Sequence, residues 1–401
     1  MSHHSRTPNP IRTTPENWFA WNTMQNRLPD NIAHTVRVNA DFTDMERSRL
    51  LTLADSIRGG ARIPEPGLHW HDYEWWVRQY EPHRGDTWHD SNWFFSETYA
   101  FRLILDACRY WQHGRDPFWH TKKAELDSAA AFAPIMHFDS RGHIARGHTD
   151  GDSGSIRLAW ALQLATWGNR ADLSFSAGAE PDRDHGTEDQ LIVNDTVECM
   201  RLLDAAPAST VHLVTDNSGA ELAGDLVLIR ELVRLGHDVV CHVKAHPTYV
   251  SDTTVADFHY FLTRAAESDS KAVQSIAFDI QQALNDERVE LRPHAYWCST
   301  LFLSGMPDAL LSTLESAGII IIKGDFNYRR VFQDTIWPVG TPLAQATGLQ
   351  MRPRVLLLRG MKSDVIWGLE QAAVEALDTD DADWRINGRR AVIQLLDFDG
   401  N

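Results

Sequence analysis

Five short apolar runs in the second half of the chain constrain the fold more than any other feature, because four of them end in a cluster of charged or amide side chains. VHLVT (211–215) stops at Asp216-Asn217, and HDVVCHVK (237–244) stops at AHPTYVSD. GIIIIK (318–323) runs into GDFNYRR, RVLLL (354–358) runs into RGMKSD, and AVIQLL spans 391–396. Between them lie segments with apolar residues at helical spacing, such as ELAGDLVLIRELVRL and DALLSTLESA. Strand-length runs alternating with helices predict βαβ units, and so an α/β fold whose mostly parallel sheet carries helices on both faces. Ligands of such open sheets sit beyond the carboxyl ends of the strands. Four polar clusters at that one edge predict a single composite site.

The first third reads differently. Residues 93–111 place Phe94, Thr98, Phe101, Leu105 and Cys108 at steps of three and four, one buried helix face. No alternating strand pattern precedes residue 150, and the many tryptophans read as core. The expected organisation is a disordered lead-in over 1–20, a helical domain over 21–150 and an α/β domain over 151–401. Residues 139–155, DSRGHIARGHTDGDSGS, are rich in Gly and Asp and lack periodicity, so they read as a linker or long surface loop.

Bulk properties exclude some partners. The balance of 43% hydrophobic and 23% charged residues is that of a globular protein, and no apolar run is long enough to cross a bilayer. A formal net charge of -17 argues against nucleic acid and anionic membrane as partners. A small phosphorylated metabolite remains open, provided cations or a metal reverse the field locally. Cys108, Cys199, Cys241 and Cys298 lie far apart without C-x-x-C or zinc spacing. Packed thiols in a cytoplasmic protein are the expectation. The oligomeric state leaves no trace in the sequence.

Asp216 supplies a charged oxygen and Asn217 a neutral carbonyl oxygen, the donors that hard cations such as Mg²⁺ and Mn²⁺ prefer. Ser218 and Gly219 can open the next helix, Ser218 as its N-cap, with free N–H groups aimed at an anion. The same residues also allow Asp216 or Asn217 to be nothing more than a cap. Asp252 is a candidate third oxygen ligand or, within Ser251-Asp252-Thr253, another cap; His246 is a candidate ligand or a loop residue. Lys323 ends a four-isoleucine strand, where a desolvated cation needs an anion, either substrate phosphate or a carboxylate such as Asp325. Asn327 and Arg329 share its cluster. Arg359 and Lys362 repeat the theme, and Arg389-Arg390 add a pair of which at least one belongs to solvated surface. Glu221 and Asp225 are either carboxylates behind the site or an exposed acidic face. The histidines of HWHDYEWW (69–76) and DTWHDSNW (86–93) have no matching second cluster. AVIQLLDFDG imitates the strand-D-x-D opening of haloacid-dehalogenase-type phosphatases without their other motifs. Neither G-x-G-x-x-G after a strand nor G-x-x-x-x-G-K-[ST] occurs.

Taken together the motifs resemble the DUF89 family, in its ARMT1-like branch of metal-dependent damage-control phosphatases. The matching segments are RLP (27–29), Trp93 with Glu97, Tyr99 and Arg102, DPF (116–118), WGNRADLS (167–174), DNSGAEL (216–222), HPTYVSDTT (246–254), YWCS (296–299) and KGDFNYRR (323–330). The resemblance implies a helical N-terminal domain plus a three-layer α/β/α C-terminal domain. It implies Asp216, Asn217 and Asp252 as metal ligands for Mn, Ni, Co or Mg, with Asn169 and Asp172 lining the site. RGMKS (359–363) resembles the branch's substrate-binding R-T-x-K motif, with Gly360 where Thr is usual. Arg359, Gly360, Met361, Lys362 and Ser363 are therefore expected at the substrate, together with Asn327 and with Arg389 in place of a Lys. In the implied chemistry Lys323, Lys362, Arg359 and Arg389 stabilise phosphoryl oxygens. Asp216 or Asp252 handles the attacking water, or Asp216 forms an aspartyl-phosphate. Lys323, Asp216 and Asp252 are the expected catalytic residues, and sugar phosphates the expected substrates. Two rival functions are an S-adenosylmethionine-dependent carboxyl methyltransferase, which a missing Gly-rich strand-loop disfavours, and a non-catalytic metabolite-binding protein.

Overall fold

Nine strands form in chain order: β1 (Asn9–Pro10), β2 (Leu191–Asn194), β3 (Thr210–Val214), β4 (Asp238–Lys244), β5 (Val289–His294), β6 (Ile319–Lys323), β7 (Thr335–Ile336), β8 (Arg354–Gly360) and β9 (Ala391–Leu396). The computed structural model describes residues 7–145, 150–175, 190–206 and 208–398, with side chains described at all of these but 141–145, 150–153 and 169–175. Seven strands make one sheet in the order β2-β9-β8-β6-β3-β4-β5, while β1 and β7 form a separate two-residue ladder. Every neighbouring pair of the large sheet is parallel except β8 and β9. The fold is thus α/β with a mostly parallel sheet, as the apolar runs predict. The chain steps outward from β3 to β4 and β5, then crosses back to β6 on the other side of β3. That reversal opens a crevice at the carboxyl ends of β3 and β6.

Each of the five predicted strands forms, and β2 and β5 join them at the two edges. Their sequences explain why they escape a pattern search. LIVN is four residues long, and VELRPH carries charged residues and Pro293, tolerated because an edge strand has a free side. The antiparallel course of β9 puts its first residues, not its last, at the carboxyl edge of β8. Asp397 accordingly sits at the far edge of the sheet, paired with Arg354 at 2.9 Å.

Both faces of the sheet are covered. Along β6 the side chains alternate: Ile319 and Ile321 enter one core, Ile320 and Ile322 the other. The first core includes Leu158, Ala161, Leu162 and Ala165 of the Asp150–Phe175 helix and Leu222, Leu226 and Ile229 of the Ala220–Arg234 helix. Small residues bring these two helices close; a methyl on Gly224 would lie 3.1 Å from the Leu164 carbonyl oxygen. The second core joins the sheet to the N-terminal helices through Met24, Leu28, Trp76, Trp93, Tyr99 and Ile104. Each such fully buried Leu or Ile contributes roughly 1.5–3 kcal/mol.

Several expectations are corrected. Residues 139–145 and 150–155 are helical, within Ala133–Ala145 and Asp150–Phe175, rather than a linker. Residues 146–149 of that segment lie outside the described residues. The lead-in is not wholly disordered: β1 pairs with β7, and a helix spans Trp18–Asn22. The predicted 93–111 helix runs from Trp93 to Ala107 and breaks where Arg109 turns left-handed, with φ of 58°. The four cysteines are buried and unbonded. Among the described residues no helix is long and apolar enough to cross a membrane.

Candidate functional site

A cleft of about 320 Å³ opens at the switch point, and Asp216, Asn217, Asp252, Gly324, Gly360 and Lys362 are among the residues lining it. Backbone pairing sets its geometry. The loops after β3 and β4 are zipped together: Ser218 N–H donates to the Ser251 carbonyl at 2.8 Å, and Thr253 N–H donates to the Asp216 carbonyl at 2.8 Å. Asn217 and Asp252 form an isolated antiparallel bridge between the loops. Two carboxylates and a carboxamide distant in sequence are thereby held side by side.

The capping alternatives fail for both loops. The Ala220–Arg234 helix starts at Gly219, and its first N–H, that of Ala220, donates to Glu125 Oε1 at 3.3 Å, so Asp216, Asn217 and Ser218 do not cap it. The next helix, Val255–Ala266, is capped by Thr254, which forms a capping box with Asp257. Asp252 is left out of that box and faces the cleft.

Electrostatics mark the same residues. Burial, then the charges of Glu221 and Asp252, push the Asp216 carboxyl well above its ordinary value. Burial also raises Asp252, against the pull of Lys244, whose ammonium lies 3.1 Å from Oδ2. The Asn217 amide donates to Asp216 Oδ2 at 3.1 Å and Glu221 Oε2 at 2.9 Å, and its Oδ1 accepts from the Ser251 hydroxyl at 2.6 Å. Among the described residues no three His, Cys, Asp or Glu side chains form a ready-made metal cluster. A cation here would rest on oxygen donors alone: Asp216, Asn217 and Asp252.

The predicted cations separate into two groups. Lys362 is half-buried on the cleft wall. Lys323 instead lies behind the cleft, fully buried, 2.5 Å from Asp225 and 3.1 Å from Glu221. Burial lowers its pKa but these two carboxylates outweigh that and hold it above its usual value; burial pushes Asp225 up to about 7. Of the two readings of Lys323, the carboxylate partner is the one observed, though the partners are Glu221 and Asp225 rather than Asp325. Arg359 is also enclosed: its Nε donates to Asp325 Oδ1 at 2.7 Å, Nη2 donates to the Ser363 carbonyl at 2.9 Å, and the guanidinium covers Tyr328 at 4.1 Å. It shapes the loop that carries Gly360 and Lys362 rather than facing a ligand. Met361 and Ser363 are buried behind that loop. Asn327 is buried and donates to the Lys323 carbonyl at 2.8 Å. Arg389 is 71% exposed and outside the lining, although its neighbour Gly388, whose N–H donates to the Met361 carbonyl at 2.9 Å, lines the cleft. Asn169 and Asp172 lie on the Asp150–Phe175 helix, but their side chains are outside the described residues.

Sequence reading missed Lys244, Arg27, Glu125 and Tyr249. Lys244 carried the same signal as Lys323, a lysine ending a buried strand. Arg27 and Glu125 line the cleft from elements with no strand-end signal, whereas Tyr249 sits inside the AHPTYVSD cluster after β4, hidden among its polar neighbours. The histidines near residue 70 are committed elsewhere: His69 lies 2.9 Å from Asp106, and His71 stacks edge-on against Trp111.

Known proteins share this arrangement of sequence. Residues 22–377 match the damage-control phosphatase ARMT1-like domain. Damage-control phosphatase ARMT1 of Danio rerio is 32% identical over 257 residues, covering 58% of this chain and 57% of the relative. The Homo sapiens protein of that name is 29% identical over 259 residues, covering 60% and 58%. These alignments thus span less than two thirds of the relatives' own length. A crystal structure of a DUF89 family protein from Pyrococcus horikoshii superposes with a TM-score of 0.50 at 14% identity, covering 96% of this chain and 99% of that one. At that identity the likeness concerns the fold.

Proposed function

This chain belongs to the damage-control phosphatase ARMT1-like family, and from that premise we propose that it is a metal-dependent phosphomonoesterase acting on small phosphorylated metabolites, sugar phosphates foremost. One observation carries the reading. The zipped loops after β3 and β4 gather Asp216, Asn217 and Asp252 in one cleft at the sheet's switch point, with Lys362 on its wall.

The residues fit a divalent cation. Their donors are all oxygen, and the crowding of Asp216 by Glu221 and Asp252 is what a dication would relieve. Asp216, Asn217 and Asp252 would hold it, and when bound it would polarise a phosphoryl oxygen and acidify water. The chain's own groups supply the rest. Lys362 offsets charge on the phosphoryl oxygens. Asp216 or Asp252 orients the attacking water and accepts its proton. Lys244 holds Asp252 in place, and Glu221, fixed by Lys323, orients the Asn217 amide. In this reading Lys323 positions the site rather than touching substrate.

The test is a screen of the purified chain against phosphorylated metabolites with Mg²⁺, Mn²⁺, Co²⁺ and Ni²⁺ in turn. Asp216→Asn and Asp252→Asn should each lower metal-dependent phosphate release by roughly 100-fold or more while the far-UV circular dichroism spectrum of the folded chain holds. Wild-type turnover in either variant would overturn the assignment.

A further inference from the structure

Arg27 is the cation that the N-terminal helices contribute to the cleft lining. Its place in the chain is unusual. Residues Thr23–Arg27 form a π turn, with the Leu28 N–H donating to the Thr23 carbonyl, between the Trp18–Asn22 and Leu28–Val38 helices. A π turn inside a helix is costly and recurs at functional sites. Pro29 follows at once, and in a regular α-helix its ring would strike the carbonyl four residues back; the wider turn relieves that clash. Thr23, Met24, Leu28 and Pro29 are buried, so the backbone carrying Arg27 is anchored although its side chain is exposed.

The guanidinium itself makes only neutral contacts among the described residues. It touches the Thr23 hydroxyl at 3.3 Å and lies 5.0 Å from the Phe19 ring centre. Among the described residues no carboxylate comes within ion-pair distance of it. Glu97, whose carboxyl its charge pulls down against the larger effect of burial, is already bound to Arg329 at 3.0 Å. With 55 acidic residues against 38 basic ones, arginines in this chain find carboxylates easily, and Lys323 and Arg359 have done so beside the same cleft.

We propose that Arg27 binds the phosphoryl group of the ligand from the helical layer, in the cleft that Lys362 also lines from the loop after β8, so that two layers of the molecule complete one anion site. The proposal deepens the phosphatase reading and rests on it. A planar guanidinium suits a tetrahedral oxyanion because it can donate two parallel hydrogen bonds.

Titration of the full chain with inorganic phosphate in the presence of Mg²⁺, followed by calorimetry, tests this apart from turnover. Arg27→Gln should weaken phosphate binding about 10- to 100-fold, the effect of losing a charge-assisted pair. Mg²⁺ affinity and melting temperature should hold, and added guanidinium should restore part of the binding. Arg27→Lys should fall between, and serves alone if the Gln variant does not fold. On any phosphoester that is turned over, Arg27→Gln should raise KM more than it lowers kcat. Phosphate binding in Arg27→Gln equal to wild type, or none in wild type, overturns the proposal whatever the turnover. Arg27-dependent phosphate binding without turnover on any phosphoester supports Arg27 and removes the phosphatase reading instead.

Discussion

Gly324 has a φ of +86°, and a methyl on its Cα would sit 2.1 Å from Asp216 Oδ2. Gly324→Ala should therefore force Asp216 aside, besides a cost of about 1–3 kcal/mol for a backbone with ψ of 163° that is essentially open to glycine alone. Loss of metal-dependent turnover together with a lowered unfolding midpoint is expected; a variant as active as wild type would mean that Asp216 does not need its observed position. Residue identity at a strand end made Asp216, Asn217 and Asp252 legible in the sequence, since few other reasons place oxygen donors there twice. What sequence could not supply was each cation's partner. Lys323, Lys244 and Arg359 all look like ligand-facing cations until the fold reveals the carboxylates beside them. Arg27 stood in the family-like RLP segment but carried no sign of a place at the cleft, because its π turn depends on how the flanking helix packs.

Elements decide the next level. The strands of the sheet centre were legible because both of their faces are buried, which leaves near-continuous apolar runs. The edge strands were not, having only one neighbour to satisfy. In the centre two histidines interrupt the pattern. His212 on β3 and His242 on β4 face each other with Nδ1 and Nε2 2.8 Å apart, both buried. Burial, with Arg292 adding to it, pulls His212 down to about 4; burial, with His212 next, pulls His242 down to about 3. Folded-state values below the ordinary 6.5 mean that, as the pH falls through 6.5, the unfolded chain takes up protons that the folded chain refuses. Stability should therefore decline as pH falls from about 6.5 towards 4. His212→Gln should flatten that slope by about one proton's worth, read from urea midpoints at several pH values. An unchanged slope would show that the pair is protonated in the fold.

At the scale of the molecule the N-terminal helices and the sheet share one core, which runs from Met24 and Trp76 through Ile320, Ile322 and Leu357. Arg329 ties the two parts polar-side as well. From the helix after β6 it reaches Glu97 at 3.0 Å and Asp334 at 2.7 Å, and its guanidinium lies 3.4 Å from the Trp93 ring centre. Asp334 in turn accepts from the Phe94 N–H at 2.9 Å, and its carbonyl accepts from the Ile11 N–H at 2.9 Å. Removing Arg329 leaves the buried Asp334 and the half-buried Glu97 without their cation, which costs about 3–5 kcal/mol. Because the cleft takes Arg27 from one layer and Asp216 from the other, this junction bears on the site as much as on stability. Nine of the fifteen tryptophans precede residue 120, so fluorescence reports mainly on the N-terminal helices while far-UV circular dichroism reports on the whole chain. In Arg329→Leu both signals should lose stability together, their urea midpoints shifting equally within a single transition. A fluorescence midpoint that moves alone would show instead that the helices unfold as a domain of their own, and the composite cleft would then have no fixed geometry between its two walls.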